Sequence, residues 1–267
     1  TQYIKLTTNE SPFSPSPTAQ LYVSKAAENL QLYSDPECRE LVKIAADRFN
    51  INEDEIIFSN GSDEVLNFAF MAFCDENTPA IFPDITYGFY SVFAQINNLP
   101  YKQMPLNDDF TINIDDYKNV SGTIFIANPN APTGIALSVN EIEEIVKSNP
   151  DNVVVIDEAY VDFGAESVVP LTKKYDNLLV TQTFSKSRSL AGGRLGFGIA
   201  SKELIRELNT IKYSTNPYNV NSLTMAAGIG TLLNNDYTIS NCKEIIRVRD
   251  FTVSELKSLG FTFSKEL

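Results

Sequence analysis

Short apolar runs alternate with amphipathic stretches over most of this chain, and their spacing sets the elements it predicts. "PAIFP", "GTIFIANP", "NVVVIDEAY" and "NLLVTQTFSK" each carry a compact apolar block, and Val153 to Ile156 is apolar at successive positions, as a strand buried on both faces requires. Between the blocks, helical spacing begins near Pro36 and continues through Leu41, Ile44, Ala45 and Phe49; a second helix opens at Ser62, a third covers Tyr87 to about Asn97, and a fourth opens at Ser138. "EIIFSNGSDEVLNF" reads as a strand over Glu55 to Ser59, a glycine turn, and a helix with Asp63 and Glu64 in its first turn. "GRLGFGIAS" adds one more strand, followed by helical "SKELIRELNTIK", "VNSLTMAAGIGTLL" and a long amphipathic "YTISNCKEIIRVRDFTVSELKSLG". Strand–helix alternation of this kind is α/β architecture with a mostly parallel sheet.

The ends of the chain depart from the pattern. Residues 1 to 36 read as an irregular arm, because Pro12, Pro15 and Pro17 remove backbone donors and disfavour helix and central strand. Residues 37–235 carry the alternating units and form the expected large domain. Residues 236–267 read as a connecting helix and the start of a second, smaller domain: "FTFS" opens a strand that has no partner, so the rest of that domain is expected to lie outside this sequence.

Composition then narrows the function. With 267 residues and 43% hydrophobic content the chain can bury one large core. A net charge of −13, with 21 basic residues that form no block, argues against a nucleic-acid surface and makes any anion site a local one. Cys38, Cys74 and Cys242 match no metal-ligand spacing and read as reduced buried thiols. No leader and no membrane-spanning apolar run is evident, so a cytoplasmic location is expected. Histidine is absent, which excludes Ser-His-Asp or Cys-His nucleophiles and His-ligated metal; proton transfer falls to Lys, Tyr or carboxylates.

Candidate chemistry gathers where the parallel strands end, the usual place for a ligand in such sheets. "SNGSDE", "ANPNAPTG", "DEAY" and "TFSKSRS" lie there. Asp157 ends a buried strand, Tyr160 follows three residues later, and Lys186 ends a later strand with Ser185 beside it and Arg194 eight residues on. Singly, Asp157 could cap a turn and Lys186 could be solvated. Together with a glycine turn that aims helix N–H groups at an anion, they are the set that pyridoxal 5′-phosphate requires. The lysine takes up the aldehyde, the carboxylate pairs with the pyridine nitrogen, and hydroxyls with an arginine hold the phosphate.

These residues sit in a series of motifs: "NESPFSPSP", "YSDPECRELV", "NGSDEVL", "PDITYGFYSV", "NPNAPTG", "VIDEAYVDF" and "TFSKSRSLAGGRLGF". Through them the chain resembles, over essentially its whole length, the fold-type-I pyridoxal-phosphate aminotransferases and among them the histidinol-phosphate aminotransferase family. The resemblance implies a three-layer α/β/α large domain with a small C-terminal domain incomplete here. It implies that Lys186 is the Schiff-base lysine and proton shuttle, that Asp157 pairs with the pyridine nitrogen, and that Tyr160 bonds the ring's 3′-oxygen. Tyr87 would stack on the ring, while Ser62, Asp63, Ser185 and Arg194 would form the phosphate site. Tyr33 would reach the cofactor of a neighbouring subunit, which makes the protein a homodimer with shared sites. The expected activity is a two-stage exchange of an amino group between histidinol phosphate and 2-oxoglutarate, giving imidazole acetol phosphate and glutamate.

Two departures from the family pattern bear on the site. Ala131 stands where a second asparagine is usual, leaving Asn130 and Asn128 to contact the ring oxygen, with Asn130 the favoured candidate; Ser34 stands where proline is usual, with Tyr33 intact. The resemblance further implies substrate-binding arginines in a C-terminal segment, which are expected beyond the end of this sequence. Aromatic-amino-acid transamination and threonine-phosphate decarboxylation therefore remain as alternative chemistries, and a non-catalytic cofactor-binding module as an alternative of another class.

Overall fold

The apolar blocks form one sheet with helices on both faces. A computed structural model describes residue 5 and residues 7–263. Its strands are β1 (Ile56–Ser59), β2 (Ala80–Pro83), β3 (Tyr101–Met104), β4 (Thr123–Ala127), β5 (Val154–Asp157), β6 (Leu178–Thr183) and β7 (Gly196–Ile199), in the order β1-β7-β6-β5-β4-β2-β3. Pairings among β2 to β6 are parallel; β7 runs antiparallel to both β6 and β1. The α/β expectation is met, with the antiparallel return of "GRLGFGIAS" filling the gap beside β1.

Side-chain alternation divides the interior into two cores. Ile124, Ile126, Val154, Ile156 and Val180 face one side, where they pack with α2 (Arg39–Phe49), α5 (Val139–Ser148) and α7 (Ser222–Leu233). Phe125, Ala127, Val155 and Leu179 face the other, against α3 (Ser62–Phe73), α4 (Phe89–Ile96) and α6 (Lys202–Thr215). The same period of two sorts the polar residues at the strand ends: Asp157 and Thr181 fall on the α3/α4 side, Glu158 and Gln182 on the opposite side.

Two elements differ from the expectation. The segment read as irregular contains α1 (Pro17–Ala26) and a 3₁₀ turn, Ala27–Asn29. Pro17 occupies the first turn, where its missing N–H costs nothing, and the Ser16 hydroxyl accepts from the Ala19 amide, so proline here starts a helix instead of preventing one. A Cβ on Gly230 would collide with the Ala19 backbone, so glycine lets α7 approach α1 closely. The other is β3, an edge strand: "YKQM" buries only Met104, which leaves no apolar block to read.

The long C-terminal helix is α8 (Asn235–Ser258). Phe261 to Phe263 form no strand, and Ser264 of the expected "FTFS" strand lies outside the described residues. No helix among the described residues is long and apolar enough to cross a membrane.

Candidate active site

Asp157 is the floor of the site. It ends β5 on the α3/α4 side and is 4% exposed, with two side-chain donors among the described residues, Tyr90 Oη at 3.3 Å and Thr181 Oγ1 at 3.2 Å. Burial pushes its carboxyl up to about 6, because ionisation in this setting lacks the solvation water would give. In front of it opens a cavity of about 440 Å³, lined by Ser62, Asp63, Tyr87, Tyr160, Ser185, Lys186 and Arg194 among others.

One end of this cavity is formed by the start of α3 and by Arg194. Gly61, at φ 82°, precedes α3 and offers no side chain to cap it. A Cβ there would run into the Arg194 guanidinium, and a Cβ on Gly196 would overlap the backbone of Gly61 and Ser62. Two glycines thus let β7 and Arg194 close over the start of α3, where partial positive charge gathers. Asp63 Oδ2 lies 3.5 Å from Arg194 Nη2, and Asp63 Oδ1 accepts from the Tyr87 hydroxyl at 2.8 Å. Burial and that carboxylate raise the Tyr87 hydroxyl well above its ordinary range, so the ring wall stays neutral. Ser185 is buried, its hydroxyl held by Thr183 Oγ1 at 3.0 Å.

Lys186 also lines this cavity. β6 stops at Thr183, so the lysine rides three residues beyond the strand, on a loop and not at the strand end expected from sequence. Its Nζ lies 5.4 Å from the centre of the Tyr160 ring and donates to the Thr8 carbonyl at 2.7 Å. Asn9 Nδ2 donates to the Tyr160 hydroxyl at 3.0 Å. The proline-rich arm therefore crosses the mouth of the cavity.

A lysine, a buried carboxylate, a phenol and an uncapped helix start face one space large enough for a cofactor. The model of the family "Aminotransferase class I and II" matches residues 1–266. The chain belongs to this aminotransferase family. Its members move amino groups between small amino and oxo acids. The chain is 52% identical over 265 residues to a histidinol-phosphate aminotransferase of Brachyspira hyodysenteriae, covering 97% of this chain and 74% of that relative. It is 45% identical over 259 residues to one from Clostridium botulinum, covering 97% and 73%. The solved histidinol-phosphate aminotransferase of Clostridium acetobutylicum shares the fold at a TM-score of 0.86 and 24% identity, over 95% of this chain and 77% of that one.

Two candidates of this aminotransferase chain lie apart from the others. Asn130 is buried beside the cavity, but its amide hydrogens go to the Ile85 carbonyl and the Thr133 hydroxyl, and its oxygen accepts from Thr86. Tyr33 is 86% exposed and stacks on Tyr218 with ring centres 4.9 Å apart, outside the cavity lining.

The structure also brings in residues that sequence reasoning passes over. Tyr90 and Thr181 serve Asp157, and Thr8 and Asn9 meet Lys186 and Tyr160. Alternation along "LLVTQT" could have found Thr181, two residues beyond apolar Leu179 on one strand face. Nothing in the pattern of the arm singles out a backbone carbonyl.

Proposed function

We propose that this chain is a histidinol-phosphate aminotransferase that works with pyridoxal 5′-phosphate. The observation that carries the reading is Asp157: a carboxylate buried with two long side-chain hydrogen bonds and a backbone one from Ala159, facing a cavity that Lys186 and an uncapped helix start also line. A buried acceptor with such long side-chain bonds suits a cationic N–H donor, which a pyridine nitrogen provides when protonated. Identity of 52% to a relative of that name supports the substrate pair, histidinol phosphate and 2-oxoglutarate.

The residues fit the group. Asp157 would hold the ring nitrogen and Tyr87 would wall the ring. Tyr160 would donate to the 3′-oxygen, while Ser62, Asp63, Ser185, Arg194 and the first amides of α3 would form the phosphate end. Asn130 would act through the wall that it holds together with Thr133 and Ile85. When bound, pyridoxal phosphate supplies an aldehyde for the amino group and a ring that withdraws electrons from the substrate's Cα.

The chain supplies the rest. Among the described residues Lys186 Nζ is the one amine in the cavity lining, so it takes the proton from Cα and returns it on the other side of the exchange. Tyr160, three residues beyond Asp157, keeps its ring close to that amine. The arm, through Thr8 and Asn9, limits the access of water.

In the same reading the protein is a cytoplasmic homodimer, and its large domain spans 37–235. Exposed Leu30, Leu32 and Tyr33 form an apolar edge that a second copy would cover, bringing Tyr33 to the partner's phosphate. The deciding experiment is an absorption spectrum with pyridoxal phosphate, before and after glutamate, beside Lys186→Ala. We expect a visible band that glutamate removes and that the variant lacks. A band untouched by glutamate would sink the transaminase, and a band independent of Lys186 would sink the cofactor assignment.

A further inference from the structure

Behind the cavity, on the other face of the sheet, lies a second polar cluster that the reaction above does not use. Glu158 is 1% exposed and accepts from Gln182 Nε2 at 2.8 Å, from the Ser167 hydroxyl at 2.7 Å and from the Val168 amide at 2.6 Å. Gln182 Oε1 in turn accepts from Arg188 Nη2 at 3.1 Å. Arg188, itself 6% exposed, donates through Nη1 to the Thr183 carbonyl at 3.0 Å and lies 3.5 Å from Asp162. The Ser187 hydroxyl also bonds Asp162. The guanidinium rests on the rings of Phe184 and Phe197, 5.1 and 5.6 Å from their centres, and its Nε has no partner among the described residues.

The membership of this cluster tracks the cavity residue by residue. Asp157 faces the cavity and Glu158 faces back; Thr181 and Thr183 flank Gln182; Lys186 is followed by Ser187 and Arg188; Tyr160 is followed two residues later by Asp162. Each of these segments presents one group to the cavity and sends a near neighbour into the cluster. A buried charged set is a poor source of stability, since apolar residues of similar volume usually serve as well or better. What it supplies is geometry: a planar guanidinium with fixed donors admits one arrangement of its acceptors.

We propose that Arg188, with Asp162 and Gln182, is a positioning residue that fixes the Lys186 loop against the Asp157–Tyr160 segment. Lys186 lies on a loop, three residues past β6, and its main-chain ties are few: Ser189 N to the Lys186 carbonyl at 3.3 Å, Leu190 N to Phe184 at 2.9 Å and Phe184 N to Leu195 at 2.9 Å. None of these bonds reaches the Asp157–Tyr160 segment. Arg188 and Ser187 reach it through Asp162, and Arg188 reaches Glu158 through Gln182.

The inference rests on the proposed cofactor role of Lys186, so its test begins without the cofactor. In the ligand-free chain, labelling of amines by a small acylating reagent, read by mass spectrometry, gives the Lys186 rate relative to exposed Lys102. For Arg188→Met and Asp162→Asn we expect that ratio to change by about threefold or more, with Arg188→Lys between Met and the unsubstituted chain. With pyridoxal phosphate added, the pH midpoint of the lysine-dependent band should move. The rate of the glutamate half-reaction should fall roughly tenfold or more, with the glutamate concentration for half-saturation changed far less. A purely structural role would lower the melting temperature and leave the labelling ratio, the midpoint and the rate alone; that result overturns the proposal. Should the unsubstituted chain form no band, the cofactor reading fails, while the ligand-free labelling ratio still decides for or against Arg188.

Discussion

Asp157 and Glu158 are consecutive residues, both buried, both raised by desolvation, and served in opposite ways. Glu158 accepts three bonds of 2.6 to 2.8 Å, while Asp157 accepts two side-chain bonds, both beyond 3.1 Å. The alternation of a strand explains how neighbours reach different environments; the closeness of the side-chain donors tells which environment is complete. Glu158 is finished by its own chain. Asp157, which also takes a backbone hydrogen bond from Ala159, faces a cavity, where a bound group can add a further donor.

The sharpest break of this comparison is to neutralise each carboxylate in turn. Asp157→Asn should slow the glutamate half-reaction by roughly a thousandfold, about 4 kcal/mol, since an amide cannot stabilise a cationic ring nitrogen. Glu158→Gln should slow it no more than about tenfold, acting only through displacement of the Lys186 loop. Single-turnover absorbance measurements give both numbers. Equal losses would mean that both faces of β5 belong to the chemistry and would erase the distinction.

Arg194 extends the contrast to the other end of the cavity. Unlike Arg188, whose planar head is buried beside its acceptors, Arg194 has a side chain 45% exposed and, among the described residues, one loose ion-pair partner, Asp63, and one hydrogen bond of 3.3 Å to the Ala191 carbonyl. In the proposed reading such an arginine serves the ligand more than the fold. Arg194→Ala should weaken pyridoxal-phosphate binding by about 10- to 100-fold, the range expected for a lost charged hydrogen bond, with little change in melting temperature of the ligand-free protein. Titration of the visible band measures the first and calorimetry the second. Unchanged cofactor affinity would remove Arg194 from the phosphate end.

The legibility of the sequence divides along the same line. The sheet can be read because buried parallel strands are apolar without interruption, and Asp157, Lys186 and Arg194 stand out as charges among apolar or small residues. α1 escapes the pattern because Pro17 weighs as a breaker until Ser16 makes it a first-turn residue. β3 escapes it because an edge strand with one buried side chain has no period to detect. The rear cluster is invisible for a different reason: Glu158, Gln182 and Arg188 are residue types that usually face water, and only the fold turns all three inward. The Thr8 carbonyl carries no side-chain signal at all.

The two carboxyls also make the ligand-free protein pH-sensitive, and here the comparison can be sharpened without any substrate. Burial raises Asp157 to about 6 and Glu158 to about 7. Both therefore bind a proton more tightly folded than unfolded. As pH rises from about 4 to 7, the unfolded chain releases these protons first, so stability falls, by at most roughly 1.4 kcal/mol per pH unit for each group. Carboxylates held down by partners, Glu143 with Lys174 and Tyr175 among them, act with the opposite sign, and their contribution is lost as pH falls below about 4.5. Melting temperature should thus decline between about pH 5 and 7. Asp157→Asn should flatten the lower part of that decline and leave the upper part, which belongs to Glu158. Cofactor should do the same to the unsubstituted chain, because a cationic nitrogen beside Asp157 favours its ionised form. A decline that cofactor leaves untouched would show that the ligand does not meet Asp157, and would return the two carboxylates to equal standing.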